Sequence, residues 1–363
     1  MTLSLCMIVK NEEDVLERCL NSFNGVFDEI VIVDTGSTDN TIKIAKKFTD
    51  KIYHFKWIND FSAARNFSFS KATSDFIMWA DADDIIVPTE REKLIKFKKN
   101  LTQSVDVVML KYAISFDENN NPTFVYFRER IFNRTQNFKW KDPVHEAITP
   151  KGNIKYENIT IEHRKTKPTA PGRNLKIYEN LKKEKVLFSP RQTFYYAREL
   201  YYNNKFNKAI VEFKKFIKMP NGFKENYIEA CLNLSFCYQH LNKLTLAKQS
   251  LFNSFAYDTP RSEILCELAN IYFLENNYKS AIYYYNLATK NTPNHQSGAF
   301  VLNDCYNFIP YIQQCVCYYK LKNINMALKF HKLAKKIKPN NKLVLANDKF
   351  FKEIIKSKKN EAF

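Results

Sequence analysis

Residues 29–41 read EIVIVDTGSTDNT, and this stretch decides the fold class. EIVIVD is a buried-strand run that stops on a carboxylate, Asp34. Gly36 then supplies a tight turn, and Ser37, Thr38 and Asp39 are candidate N-caps for a helix over TIKIAKKF, 41–48. Backward along the chain, LSLCMIV at 3–9 is a similar run, followed by helical spacing in Val15, Leu16, Cys19, Leu20 and Phe23. Forward, KIYHFKW at 51–57 predicts a third strand and FIMWA at 76–80 a fourth. Strand and helix units alternating at this length predict a mixed, mainly parallel α/β sheet with helices on both faces.

In such sheets ligands bind beyond the carboxyl ends of the strands. The residues just past each strand are Lys10-Asn11-Glu12, Asp34-Thr35-Gly36, Asn59-Asp60 and Asp81 to Asp84. If the strands are parallel, these acid-rich tips converge on one cleft. The last tip is the densest: FIMWADADD, 76–84, places three carboxylates within four positions. Like charges this close repel, and burial makes that worse, so positive charge must sit there for at least part of the working cycle.

Farther on, VDVVMLKYAISF and PTFVYFRERIF flank the turn-rich DENNN, 117–121, which predicts an antiparallel excursion. KTKPTAPGRN, 165–174, is Pro- and Gly-containing and marks a linker. The expected division is a catalytic domain over 1–175, a linker region over 176–190 and a helical domain over 191–363. The helical half repeats. Ala247, Ala281 and Ala327 each begin a similar pattern, and Ala209 begins a degenerate earlier copy. Tyr238, Tyr272 and Tyr318 each lie nine positions before the anchoring alanine. The interval from Ala247 to Ala281 is 34 residues, the tetratricopeptide (TPR) period, while the flanking intervals of 38 and 46 imply longer loops. A helix pair of this kind cannot bury its own apolar face, so neighbours stack and present a concave surface.

The formal charge of +18 is uneven. Residues 1–150 carry 20 Lys+Arg against 22 Asp+Glu, so the basic character belongs to the second half. It reads as lysine-rich solvated helix faces, or as attraction to an acidic partner or to the anionic inner membrane surface, a peripheral contact. Nothing resembles a nucleic-acid module, and no apolar run reaches the roughly 18 residues of a membrane span. The N-terminus, MTLSLCMIVKNEED, lacks a signal peptide's pattern. The eight cysteines form no CxxC pair, and most sit in apolar helical surroundings where a thiol behaves as a small hydrophobe. A reducing cytoplasm is the expected compartment.

A strand ending in Asp-x-Asp suits Mg²⁺ or Mn²⁺ holding a diphosphate, because such cations take carboxylate oxygens and keep positions open for phosphate. Asp83 is assigned to the metal, and Asp81 to the ribose or, through water, to the metal. Glu146, in WKDPVHEAI at 140–148, is placed to remove an acceptor's proton. His163 is a further metal ligand, a diphosphate contact, or a histidine making ordinary hydrogen bonds. The tyrosine and phenylalanine stripes of the second half are repeat core rather than sugar platforms.

Together MIVKNEE, IVDTGSTDNT, NDFSAARN, ADADD, VHEAI and Arg173-Asn174 resemble bacterial family 2 glycosyltransferases of the GT-A (Rossmann-like) fold. The added TPR-like helices are similar to the architecture of enzymes that glycosylate bacteriocin peptides, the sublancin type of peptide S-glycosyltransferase among them. The motifs cover roughly residues 1 to 180; the remainder resembles the family through architecture alone. The resemblance implies inverting transfer from a nucleotide-sugar, usually a UDP-sugar, with a divalent metal. By motif position it implies that Val9, Asn11, Glu12, Asp34 and Ala82 line the nucleotide site, with Asp34 facing the base. Asp60, Arg65 and Asn66 would shape the nucleotide cleft, Asp81 and Asp83 match the metal and ribose motif, Glu146 would be the general base, and His163 would approach the metal. Relatives often carry Gly-Tyr after that histidine, where this chain reads Arg164-Lys165-Thr166.

The expectation is therefore a metal-dependent hexosyltransferase acting on a peptide or protein, on a Cys or Ser side chain, with the repeat domain holding the acceptor. A cell-surface polysaccharide or lipid-linked glycan is the alternative acceptor, and a non-catalytic TPR scaffold the alternative class. Repeat domains of this kind can form homodimers, although no residue marks such an interface.

Overall fold

The computed structural model describes residues 1–117, 120–166, 170–294 and 297–360. Residues 118–119 of the DENNN turn and 167–169 of KTKPTAPGRN lie outside them. The chain divides into two compact units, Met1–Tyr195 and Tyr196–Phe363.

The first unit is built on strands β1 (Leu3–Val9), β2 (Glu29–Asp34), β3 (Ile52–His54), β4 (Phe76–Trp79), β5 (Asp84–Ile85), β6 (Val107–Phe116), β7 (Pro122–Asn133) and β8 (Ile154–His163). They form one eight-stranded sheet in the order β3-β2-β1-β4-β7-β6-β8-β5. Strands β1 to β4 are mutually parallel, as the alternating pattern predicts. The β6–β7 excursion is antiparallel, and β7 inserts antiparallel beside β4. The helices are α1 (Leu16–Ser22), α2 (Thr41–Ala45), α3 (Phe61–Lys71), α4 (Pro88–Lys99) and α5 (Arg173–Lys183).

Alternation along β1 separates the two faces. Leu3, Leu5, Met7 and Val9 pack with Leu16, Ala45, Leu94 and Phe97 of α1, α2 and α4. Cys6 packs on the other side with Phe69 of α3, Trp79 and Trp140. With both faces covered, the strands can be apolar throughout, which is why IVIV shows no polar alternation. The helix after Gly36 is shorter than TIKIAKKF, ending at Ala45. Its start is held by Asp39, whose carboxylate accepts from Thr41 N at 2.9 Å.

The 176–190 stretch expected as a linker lies wholly within the first unit. Helix α5 buries Leu175, Ile177 and Tyr178, and Tyr178 packs edge-on against Phe188 at 5.6 Å. The break between units falls at Tyr195/Tyr196, inside helix α6 (Pro190–Tyr202).

The second unit continues with α7 (Phe206–Ile217), α8 (Lys224–His240), α9 (Leu244–Asn253), α10 (Ser262–Leu274), α11 (Tyr278–Ala288), α12 (Phe308–Lys320), α13 (Ile324–Ile337) and α14 (Lys342–Asn360). The anchoring alanines fall on α7, α9, α11 and α13, each fully buried. One turn recurs before each of them. Asn204, Asn242, Asn276 and Lys322 all have left-handed backbone, five residues ahead of the alanine. In each case the next amide reaches back five residues to the preceding helix, as Lys243 N does to Tyr238 O at 2.8 Å. This is the Schellman closure, which satisfies the last carbonyls of the first helix and turns the chain into the second.

Candidate active site

The acidic tip is folded by strand pairing. After β4 the chain turns through Asp81 to Asp83 into β5, and β5 pairs antiparallel with the end of β8, setting Asp84 opposite His163. Asp81, Asp83, Asp84 and His163 thereby bring one ligand atom each within 4.8 Å of one another.

The chain itself supplies positive charge there. Asp84 and Arg130 are both fully buried and paired at 2.9 Å. The Arg130 guanidinium carbon lies 3.7 Å from the Trp79 ring centre and 4.2 Å from that of Tyr112. Tyr112 also donates its hydroxyl to Asp84 at 2.8 Å. A pair this deep persists because neither charge can be left alone. His163 Nδ1 sits 3.2 Å from both Asp83 Oδ1 and Asp84 Oδ1. Burial alone would lower the imidazole's pKa, but hydrogen bonds to the two aspartates push it up to about 10. Asp81 is only partly buried; desolvation favours its neutral form, yet Arg65 overrides this and holds it at about 2.

Arg65 spans the site. Helix α3 starts where Asp60 accepts from Ala63 N at 2.9 Å, an N-cap, and so delivers Arg65 one turn into the helix. Arg65 Nη2 donates to Asp81 Oδ1 at 2.7 Å and its Nε donates to Glu146 Oε1 at 2.7 Å. Its guanidinium carbon lies 4.9 Å from the Trp79 ring and 4.9 Å from the Trp140 ring. Glu146 belongs to a loop pinned from α3. Asn66 Nδ2 donates to Trp140 O at 3.0 Å, and Trp140 N donates back to Asn66 Oδ1 at 2.9 Å. The Lys141 and Ala147 backbones bond reciprocally across the loop.

One cavity of about 680 Å³ collects Val9, Asn11, Glu12, Arg65, Asp81, Ala82, Asp83, Glu146 and His163. Three of the expected residues lie elsewhere. The buried Asp34 carboxylate accepts from its own turn, Gly36 N at 3.1 Å and Ser37 N at 3.0 Å, and the β2 tip reaches the cavity through Thr35. Asp60 is the helix cap, and that tip reaches the cavity through Trp57 and Phe61. Asn66 clamps the Glu146 loop from behind.

Sequence reasoning placed Asp84 in the acidic tip without a role of its own, and passed over Tyr112, Arg128 and Arg130. For the arginines a signal was available: FRERIF sets the two at alternate positions of one strand, which places both side chains on one face. Hard carboxylate oxygens with one imidazole form a donor set that fits Mg²⁺ or Mn²⁺. Thr166 lines the cavity in the segment where relatives often carry Gly-Tyr. Arg164 there is ion-paired with Glu162 at 2.8 Å and lies 3.4 Å from the Phe116 ring.

Residues 4–154 match the family model "Glycosyl transferase family 2". This part of the chain is thus similar to family 2 glycosyltransferases. Residues 262–295 of the repeat unit match a tetratricopeptide repeat, covering α10 and α11. The glycosyltransferase SunS, SPbeta prophage-derived, of Bacillus subtilis is 30% identical over 247 residues, 64% of this chain and 58% of that protein. A TPR repeat-containing protein of Synechococcus elongatus is 35% identical over 146 residues, 40% of this chain and 35% of its own. The chain thus spans less than two thirds of the length of these curated relatives. Among solved structures, residues 1–349 of S. aureus TarS in complex with UDP cover 71% of this chain and 88% of that one, at 16% identity and a TM-score of 0.37. No described helix is long and apolar enough to cross a membrane.

Proposed function

We propose that this chain is an inverting glycosyltransferase that moves a hexose from a nucleotide-sugar, a UDP-sugar by preference, to a peptide or protein side chain. The observation that carries the reading is the Asp81–Arg65–Glu146 chain, which spans one cavity whose wall also holds Asp83 and His163. Asp81, Asp83, Asp84 and His163 would hold Mg²⁺ or Mn²⁺. When bound, such a cation offsets negative charge on the departing nucleoside diphosphate.

The chain's own residues supply the rest. Arg65 fixes Glu146 through Oε1, which leaves Oε2 outside the pair to accept the acceptor's proton. A thiol acceptor, with a reference pKa near 8.5, loses that proton more easily than an alcohol does. Val9, Asn11, Glu12 and Ala82 line the nucleotide end. Asp34 and Asp60 shape that end indirectly, by holding the turn and the helix start. The acceptor is taken to lie on the concave face of the repeats, with homodimerisation through that unit as a further expectation. SunS is named a glycosyltransferase and aligns with 64% of this chain, and this chain's own tetratricopeptide repeat is a surface suited to holding a peptide, which favours a peptide acceptor over a glycan. The eight buried free thiols suit a reducing cytoplasm.

The test is intact mass after incubation with Mn²⁺, a panel of UDP-sugars and Cys- or Ser-containing peptides. A single hexose addition is expected, and Glu146→Gln should lower its rate about 10²- to 10⁴-fold with donor binding kept. Wild-type turnover by that variant would remove the base assignment. Nucleoside diphosphate binding without transfer to any peptide, but with transfer to a glycan, would move the acceptor class.

A further inference from the structure

We propose that Arg191 is a positioning residue for the transfer, holding the loop that aims Glu146. The inference rests on reading Glu146 as the base. Two non-glycine residues in that loop have left-handed backbone, Asp142 at φ +72° and His145 at φ +54°. L-residues enter this region at a cost, so it persists where the surroundings impose it. Here both residues are tied to one guanidinium. Arg191 Nε lies 3.2 Å from Asp142 Oδ2, and Arg191 Nη2 donates to His145 O at 2.9 Å.

Tyr195 completes the brace. Its ring stacks on the His145 imidazole with centroids 4.4 Å apart and planes at 18°, and the Arg191 guanidinium carbon lies 4.6 Å from that same ring. Arg191 and Tyr195 are four residues apart on α6, so one helix face presents both. Asn66 and Phe61 of α3 hold the loop at Trp140 and Pro143, whereas the left-handed positions themselves are held from α6. Glu146 directly follows His145, so its direction depends on that backbone staying left-handed. With the brace removed, His145 relaxes toward negative φ and the carboxylate swings off its Arg65-bound position.

The test compares the full-length chain with Arg191→Gln, alone and with His145→Asn. Turnover is read as UDP release from UDP-glucose with Mn²⁺, and loop order as amide hydrogen exchange. Arg191→Gln should lower kcat about 10- to 100-fold, the size expected of a misplacement near 1 Å. The donor KM should hold within about twofold, since nucleotide contacts lie elsewhere in the cavity. Amides at 141–147 should exchange faster, and those of α3 should not. Adding His145→Asn should recover about threefold or more, because Asn adopts left-handed backbone more readily. In a Glu146→Gln background, Arg191→Gln should cost nothing further.

Wild-type kcat together with unchanged exchange at 141–147 would overturn the brace. So would a loss confined to KM, or an equal loss in both backgrounds. If the wild type leaves UDP-glucose intact, or Glu146→Gln turns over normally, the donor or base reading fails instead. The exchange at 141–147 still decides the brace in either case.

Discussion

The two units solve burial in opposite ways. The first buries charge: Asp84 and Arg130 are both at 0% exposure, with Arg65, Asp81 and His163 close by. The second buries alanines. Ala209, Ala247, Ala281 and Ala327 are also fully buried, and each is preceded by the same left-handed turn. Ion pairs of the second unit such as Lys335–Asp348 and Lys224–Asp258 sit at its surface. Repeating a small residue and a turn makes a stack. Concentrating buried charge at one strand tip makes a site at a cost in stability, whereas the second unit buries its acids at scattered positions such as Glu199 and Glu263.

The contrast is broken most directly at Arg130. Arg130→Met leaves Asp84 buried without its partner and should destabilise the first unit by about 3–5 kcal/mol. Adding Asp84→Asn should return a large part of that loss. Chemical denaturation followed by tryptophan fluorescence measures both, because the three tryptophans, Trp57, Trp79 and Trp140, lie in this unit. A loss below about 1 kcal/mol, the range of exposed pairs, would mean that the charges are solvated rather than buried.

A second buried carboxylate sharpens the comparison because it lies far from any tip. Glu29, at the opposite end of β2 from Asp34, accepts from Thr73 N at 2.8 Å and from Ser4, and pairs with Lys51. Burial alone would raise its pKa, but the contacts from Lys51, Ser4 and Thr73 bring it down to about 2. Its folded value lies below the unfolded one of 4.5, so its stabilisation is complete above that pH and disappears as pH falls toward 2. The difference corresponds to about 3 kcal/mol as an upper value. Glu29→Gln should lose about 2 kcal/mol at neutral pH and flatten the acid side of the stability curve between those limits. A variant whose acid unfolding matches the wild type would remove Glu29 from this account.

The repeat turns predict the smallest effects. Asn276→Ala should cost about 1 kcal/mol, and Lys322→Gly should stabilise by a similar amount, since glycine enters the left-handed region freely. Thermal unfolding of the second unit checks both signs.

Much of this was legible in the sequence, for identifiable reasons. EIVIVD and LSLCMIV read as parallel strands because burial on both faces removes polar alternation. The alanine anchors read as repeats because crowded helix crossings tolerate little else. The pairing of Asp84 with Arg130 was not read, because it depends on β7 inserting antiparallel beside β4, and no local pattern states which strand neighbours which. Asp34 and Asp60 were read as cleft residues from their place after a strand. Whether such a carboxylate faces the cleft or binds its own turn depends on one rotamer, which spacing does not fix. The 176–190 stretch read as a linker because its flanking Pro and Gly punctuate the chain. Buried Ile177, Tyr178 and Phe188 nonetheless keep it in the first unit.

The central claim is that the tip of β4 grips a cation-bridged diphosphate. Calorimetric titration of UDP into the full chain, with and without Mn²⁺, tests it for the wild type and for Asp83→Asn. The account predicts that Mn²⁺ tightens UDP binding tenfold or more, about 1.4 kcal/mol, and that Asp83→Asn abolishes this gain. Equal UDP affinity with and without Mn²⁺, or an undiminished gain in Asp83→Asn, would contradict it.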